Sequence, residues 1–193
     1  MSNDIVITSA LRTAVGSLGK SLKNAKAEDL GAAVISEVVK NLNISNDKID
    51  EIIMGQVLTG GSGQNPARQA AIISGIPKEK PAFVVNQVCG SGIRSVASGF
   101  QSIKSGDSKI IVAGGQENMS LAPHVVYLRE GKKLGDVKLI DTMIKDGLWD
   151  AFNGYHMGIT AENVAEKFQI TRDEQDIFAL NSQEKAPVSY THL

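Results

Sequence analysis

The chain has a single cysteine, Cys89, set where an apolar run over 82–88 gives way to Gly90-Ser91-Gly92 and then to an amphipathic stretch. A lone thiol is more often a small buried hydrophobe than a catalyst. The junction argues otherwise. At the start of a helix, the unpaired N–H groups and the helix dipole favour a thiolate. The same N–H groups can hold the oxyanion that forms when the sulfur carries an acyl group. Glycines just after the sulfur let a substrate approach the backbone. The logic is that of the strand–nucleophile–helix elbow of hydrolytic enzymes, with sulfur replacing oxygen.

A thiolate also needs a base and, for most acyl chemistry, a second acid or base. Three histidines are candidates: His124, His156 and His192. His192 stands next to last and is not expected to be organised. His124 follows Pro123 and reads as a loop position. His156, in Gly154-Tyr155-His156-Met157-Gly158, suits a pocket wall, more as a ligand contact than as a general base. The residues alone offer a nucleophile without an obvious proton-transfer partner.

Other motifs carry less. The loop Gly60-Gly61-Ser62-Gly63 lacks the Gly-Lys-Ser/Thr of a phosphate loop. Gly114-Gly115-Gln116-Glu117 reads as a strand-end turn, not a nucleotide fingerprint. One cysteine and scattered histidines give no metal-ligand cluster, so no metal is expected. Trp149 reads as a packing anchor.

The elements that must position Cys89 follow from hydrophobic periodicity. Ile5-Val6-Ile7 predicts a buried strand, and Leu30, Ala33, Val34, Val38 and Leu42 mark one face of a helix over 27–42. A strand is expected over 51–55. Asn65 then suits an N-cap and Pro66 the first helical position, with Gly75 as the stop. Strand character over 82–88, a helix with Ile93, Val96, Ala97, Phe100 and Ile103 on one face, and an apolar strand over 110–113 make a βαβ unit. The last strand is expected to be buried on both faces. The stretch 120–153 loses periodicity and reads as an excursion with short helices. Helix signals resume at 160–165 and at Thr171-Arg172-Asp173-Glu174, a capping box.

The βαβ unit makes the class α/β, and the bulk numbers are ordinary for a soluble globular protein, with 193 residues, 42% hydrophobic and 21% charged. A net charge of −1 without a basic stripe gives no footprint for nucleic acid. One cysteine excludes an intramolecular disulfide and fits a reducing compartment. The N-terminus lacks signal-peptide character, and no run is long and apolar enough for a membrane span. A soluble, cytoplasmic protein is expected.

Asn86-Gln87-Val88-Cys89-Gly90-Ser91-Gly92 resembles the nucleophile motif of the thiolase family, in its acetyl-CoA acetyltransferase branch. Arg12-Thr13, Gly63-Gln64-Asn65-Pro66-Ala67-Arg68-Gln69 and Gly114-Gly115-Gln116-Glu117-Asn118-Met119-Ser120 resemble family signatures in the expected order. So do Asp146-Gly147-Leu148 and Tyr155-His156-Met157-Gly158-Ile159-Thr160-Ala161-Glu162. The likeness runs from about residue 4 to about residue 186.

The resemblance implies a mainly parallel sheet covered by helices over 1–118 and the start of a loop domain over 119–186. It also implies a reaction: Cys89 takes an acetyl group from acetyl-CoA, and a second acetyl-CoA attacks that thioester to give acetoacetyl-CoA, or the reverse thiolysis. Coenzyme A thioesters are then substrates and no cofactor is needed. The backbone at Cys89 and Gly90 would supply the turn and part of an oxyanion hole, while Leu148, His156 and Met157 would line the substrate pocket. Full-length members are expected to be homotetramers.

The family's catalytic histidine, Asn-containing loop and second cysteine belong to a C-terminal half for which this chain has no counterpart. Residues 187–193 read as foreign to the family, an artefact of a truncated or misjoined frame, and Pro187 is expected to end the last helix. A non-catalytic module that binds CoA thioesters or a partner subunit is the alternative reading. A ketoacyl synthase is a third, against which the residues after Cys89 and over 157–162 speak.

Overall fold

The computed structural model describes residues 4–191, and side chains over 4–187. Met1, Ser2, Asn3, His192 and Leu193 lie outside the described residues, and with them the reading of His192. Two compact units divide the chain at Gly147 and Leu148. The start of the expected loop domain at residue 119 thus falls inside the first unit.

The first unit is built on three parallel strands in the order β2-β1-β3: β1 (Glu51–Gly55), β2 (Ala82–Val85) and β3 (Ile111–Gly115). Ile53 pairs with Phe83 on one side and Ala113 on the other. Parallel neighbours need crossovers, and helices supply them: α2 (Pro66–Ile73) and α3 (Ser91–Ser105), while α1 (Ala27–Asn41) precedes β1. Because side chains alternate along a strand, β1 feeds both faces. Ile52 and Met54 join Ile35 and Val39 of α1 and Ala67, Ala70 and Ala71 of α2 in the core. Ile53, equally buried, lies on the face packed by α3. Full burial of such a side chain contributes about 2–3 kcal/mol.

The helix ends follow their sequence signals. Asn65 caps α2 by accepting from the Arg68 N–H, with Pro66 at the first position and Gly75 at φ +86° beyond the end. Glu28 and Asp29 open α1 and Lys40 closes it, matching the helix dipole.

Four expectations are corrected in this unit. Residues 5–7 are not a strand; Val6 and Ile7 are 69% and 78% exposed. A β-branched run becomes a strand only when a neighbouring edge takes up its backbone groups, and the segment instead lines, with β3, a cavity of about 580 Å³. For the same reason β3 is a half-buried edge strand, not one covered on both faces.

Next, α1 buries Gly31, Ala32, Ile35 and Val39, while the expected stripe of Leu30, Val34, Val38 and Leu42 borders that cavity. Finally, α3 buries Ser91, Ser95 and Gly99, leaving Ile93 73% and Phe100 47% exposed. Small residues win that face because they let the helix axis approach the sheet: a Cβ on Gly99 would already lie 3.3 Å from Ile111.

The excursion after β3 contains short helical turns at Met119–Leu121 and Met143–Leu148. It also has a two-stranded antiparallel ribbon, β4 (His124–Val125) with β5 (Ile140–Asp141), that the sequence did not suggest. The second unit holds α4 (Met157–Phe168) and α5 (Arg172–Thr191). The capping box forms: Glu174 accepts from the Thr171 N–H at 2.8 Å and returns its own N–H to Thr171 Oγ1. Pro187 does not stop α5, which continues to Thr191. A proline forfeits one backbone hydrogen bond, and the helix is already established over the residues before it.

Candidate functional site

β2 ends at Val85, and residues 86–90 reverse the chain into α3 through two overlapping turns. Gly90 N–H donates to the Gln87 carbonyl and Ser91 N–H to the Val88 carbonyl, both at 3.0 Å. Cys89 sits at the crest of this elbow with its side chain exposed. The residue before it, Val88, has φ +48°. A β-branched residue in the left-handed region is strained, and strain of this kind persists only where the surroundings impose it.

Several groups do so here. Asn86 Oδ1 accepts from Val88 N–H at 2.9 Å, while Asn86 Nδ2 donates to the Val57 carbonyl. The hydroxyl of Ser91, itself 4% exposed, accepts from Gln87 N–H at 2.8 Å and donates to the Val88 carbonyl at 2.6 Å. One turn on, the Ser95 hydroxyl is wholly buried between the carbonyls of Gly92 and Gly114, at 2.6 and 2.7 Å. It fastens α3 to the end of β3. Gly55, ending β1, is the floor of the elbow, since a Cβ there would meet the Ser91 carbonyl carbon at 2.4 Å.

The segment after β3 braces the same floor. Glu117 Oε2 accepts from Val57 N–H at 2.8 Å and Leu58 N–H at 3.3 Å. Gln116 Nε2 donates to Gln56 Oε1 at 2.9 Å, and Gln56 donates on to the Leu58 carbonyl. Gln116 Oε1 and Glu117 Oε1 are buried without a partner among the described residues. Gly114-Gly115-Gln116-Glu117, which reads as a strand-end turn, does end β3, and its Gln116 and Glu117 also brace the loop beside the elbow.

Of the other anticipated residues, Gly90 is the N-cap residue of α3, with φ −83° and no side chain to cap with. His124 lies on the ribbon, 3.9 Å from Asp141, and is more than half exposed. Leu148, His156 and Met157 belong to the second unit. There Leu148 closes the turn at 143–148 and is half-buried, and Met157 opens α4. His156 is the N-cap of α4, its Nδ1 accepting from Gly158 N–H at 3.0 Å. That role was not anticipated; it requires an unprotonated Nδ1 and leaves Nε2 for other partners. Beside it Asp150 closes an Asx turn on Phe152 and Asn153, and these hydrogen bonds, led by the Asn153 side chain, hold its carboxyl below the usual range.

No group of three His, Cys, Asp or Glu able to hold a metal occurs among the described residues. None of their helices is long and apolar enough to cross a membrane.

The family model described as "Thiolase, N-terminal domain" matches residues 5–191. The chain belongs to the thiolase family. That match takes in the elbow around Cys89 and runs on into the closing segment 187–193. Among curated relatives, the chain is 62% identical over 187 residues to an acetyl-CoA acetyltransferase of Rhizobium meliloti (strain 1021), covering 96% of this chain and 48% of that protein. It is 58% identical over 184 residues to the acetyl-CoA acetyltransferase of Pseudomonas aeruginosa, covering 95% and 47%. The corresponding Paracoccus denitrificans protein is 59% identical over 181 residues, with 94% and 46% covered. This thiolase chain thus spans about half the length of the curated relatives it matches.

Proposed function

We propose that this chain carries the acyl-accepting nucleophile of an acetyl-CoA acetyltransferase. The observation that carries the reading is the geometry of Cys89: an exposed sulfur on a strained, hydrogen-bonded elbow at the head of α3. The Cys89 thiolate attacks the carbonyl carbon of acetyl-CoA, and the tetrahedral intermediate expels the coenzyme A thiolate, which takes up a proton. The product is S-acetyl-Cys89. Exchange of one thioester for another keeps the acyl group activated. During the attack the backbone N–H of Cys89 faces the developing oxyanion, the Gly90 and Ser91 N–H groups being held by the Gln87 and Val88 carbonyls.

In the complete reaction a second acetyl-CoA loses a proton from its methyl carbon, and the carbanion attacks S-acetyl-Cys89. Acetoacetyl-CoA forms and the Cys89 thiolate is released; thiolysis runs the same steps backwards. Leu148, His156 and Met157 are assigned to the wall that receives the coenzyme A thioester, and assembly into a homotetramer is assigned to the longer protein.

A second reading is a module that binds coenzyme A thioesters or a partner subunit without turnover. Incubation with acetyl-CoA followed by intact-mass measurement separates the two. The first reading expects a gain of one acetyl group per chain, abolished by Cys89→Ser. No gain in the wild type leaves the second.

A further inference from the structure

We infer that Ser91 is a positioning residue for Cys89, acting by holding Val88 in its left-handed conformation. The inference rests on the reading of Cys89 as the nucleophile. The Ser91 hydroxyl accepts from the N–H that opens the Gln87-Val88 dipeptide and donates to the carbonyl that closes it. A single oxygen therefore spans both ends of the segment whose backbone angles aim the next residue. Val88 at φ +48° is drawn toward negative φ, because a β-branched side chain is crowded there, and the Ser91 hydroxyl works against that pull beside Asn86 Oδ1. Such a rotation swings the direction in which Cys89 leaves the backbone.

The Ser91 side chain is shielded from bulk water. Ser91 is almost wholly buried, and its backbone is pressed so closely on Gly55 that no Cβ fits between them. The side chain of Val88 is nearly half exposed, so its shape contributes little packing that would hold φ positive by itself. The hydroxyl and the strained valine thus form a coupled pair: one imposes a conformation that the other resists.

This coupling gives a test that a general packing role would not pass. In the 193-residue chain, the rate of Cys89 alkylation by iodoacetamide is followed as a function of pH for wild type, Ser91→Ala, Val88→Gly and the double variant. Acetylation by acetyl-CoA is measured on the same samples.

Ser91→Ala should slow alkylation about tenfold at a pH where the wild type reacts readily. Glycine accepts positive φ without crowding. Val88→Gly should therefore stay within about twofold of wild type, and the double variant should recover to within about threefold. A folded Ser91→Ala protein that reacts at the wild-type rate overturns the inference, as does a double variant no faster than Ser91→Ala. Should Ser91→Ala fail to fold, Val88→Gly with and without Ser91 decides: equal rates uphold the coupling, and a slow double variant overturns it. Wild-type protein that alkylates but takes no acetyl group refutes the nucleophile reading instead, and leaves the alkylation comparison to judge Ser91.

Discussion

Gly55 and Ser91 touch so closely that a methyl group on Gly55 would stand 2.4 Å from the Ser91 carbonyl carbon and 2.7 Å from the Gly92 nitrogen. Those are backbone atoms at the head of α3 and cannot swing aside. Gly55→Ala must therefore push the helix away from the strand, and overpacking of this kind costs about 1–3 kcal/mol. Gly92→Ala is the matched control, since its Cβ meets nothing within 4 Å. Urea unfolding should show a clear loss for the first and little change or a small gain for the second.

A second close approach tests the brace beside the elbow. A Cβ on Gly31 would lie 2.0 Å from Gln116 Oε1, so Gly31→Ala must displace the buried amide and break its bond to Gln56. A loss of about 1–3 kcal/mol is expected. Gln116→Ala clears the space, so the two substitutions together should cost less than their sum. Additive losses in chemical denaturation would refute the contact.

Asp50 supplies a pH-dependent contribution. Its carboxylate accepts from Ile110 N–H at 3.0 Å and Lys109 N–H at 2.7 Å, and these bonds, with Lys80 at 3.9 Å, hold its pKa below the usual carboxylate value. A depressed folded-state pKa stabilises above the ordinary carboxylate range and is lost as pH falls through the folded value. Asp50→Ala should cost about 1 kcal/mol near neutrality. The gap from wild type should close as the medium becomes acid, read from denaturation midpoints at several pH values. A gap that widens in acid would show the opposite sign.

How far the sequence can be read depends on the signal involved. The elbow was legible because strand, cysteine and glycines stand in one local run, and α2 because Asn65 and Pro66 are local end signals. The buried face of α3 was not. Hydrophobicity points to Ile93 and Phe100, whereas close packing against β1 and β3 selects Ser91, Ser95 and Gly99, and that preference depends on residues far away in the chain. Residues 5–7 misled for a related reason, since strand propensity says nothing about whether an edge is at hand. Val88 carries no sequence mark of its positive φ, and the hydroxyl that imposes it comes from the next helix.

The strand order has a consequence for how the molecule is made. β1 is central, yet its partners β2 and β3 enter the chain about 30 and 60 residues later. There is no hairpin in this sheet to form early, and a growing polypeptide must keep Ile52, Ile53 and Met54 out of non-native association while it waits. α1 and α2, which meet each other and share the Ile52 face, are the elements placed to shield that strand first. Docking of β3 against Ser95 completes the support of the turn bearing Cys89, so that turn should be among the last features of the first unit to mature.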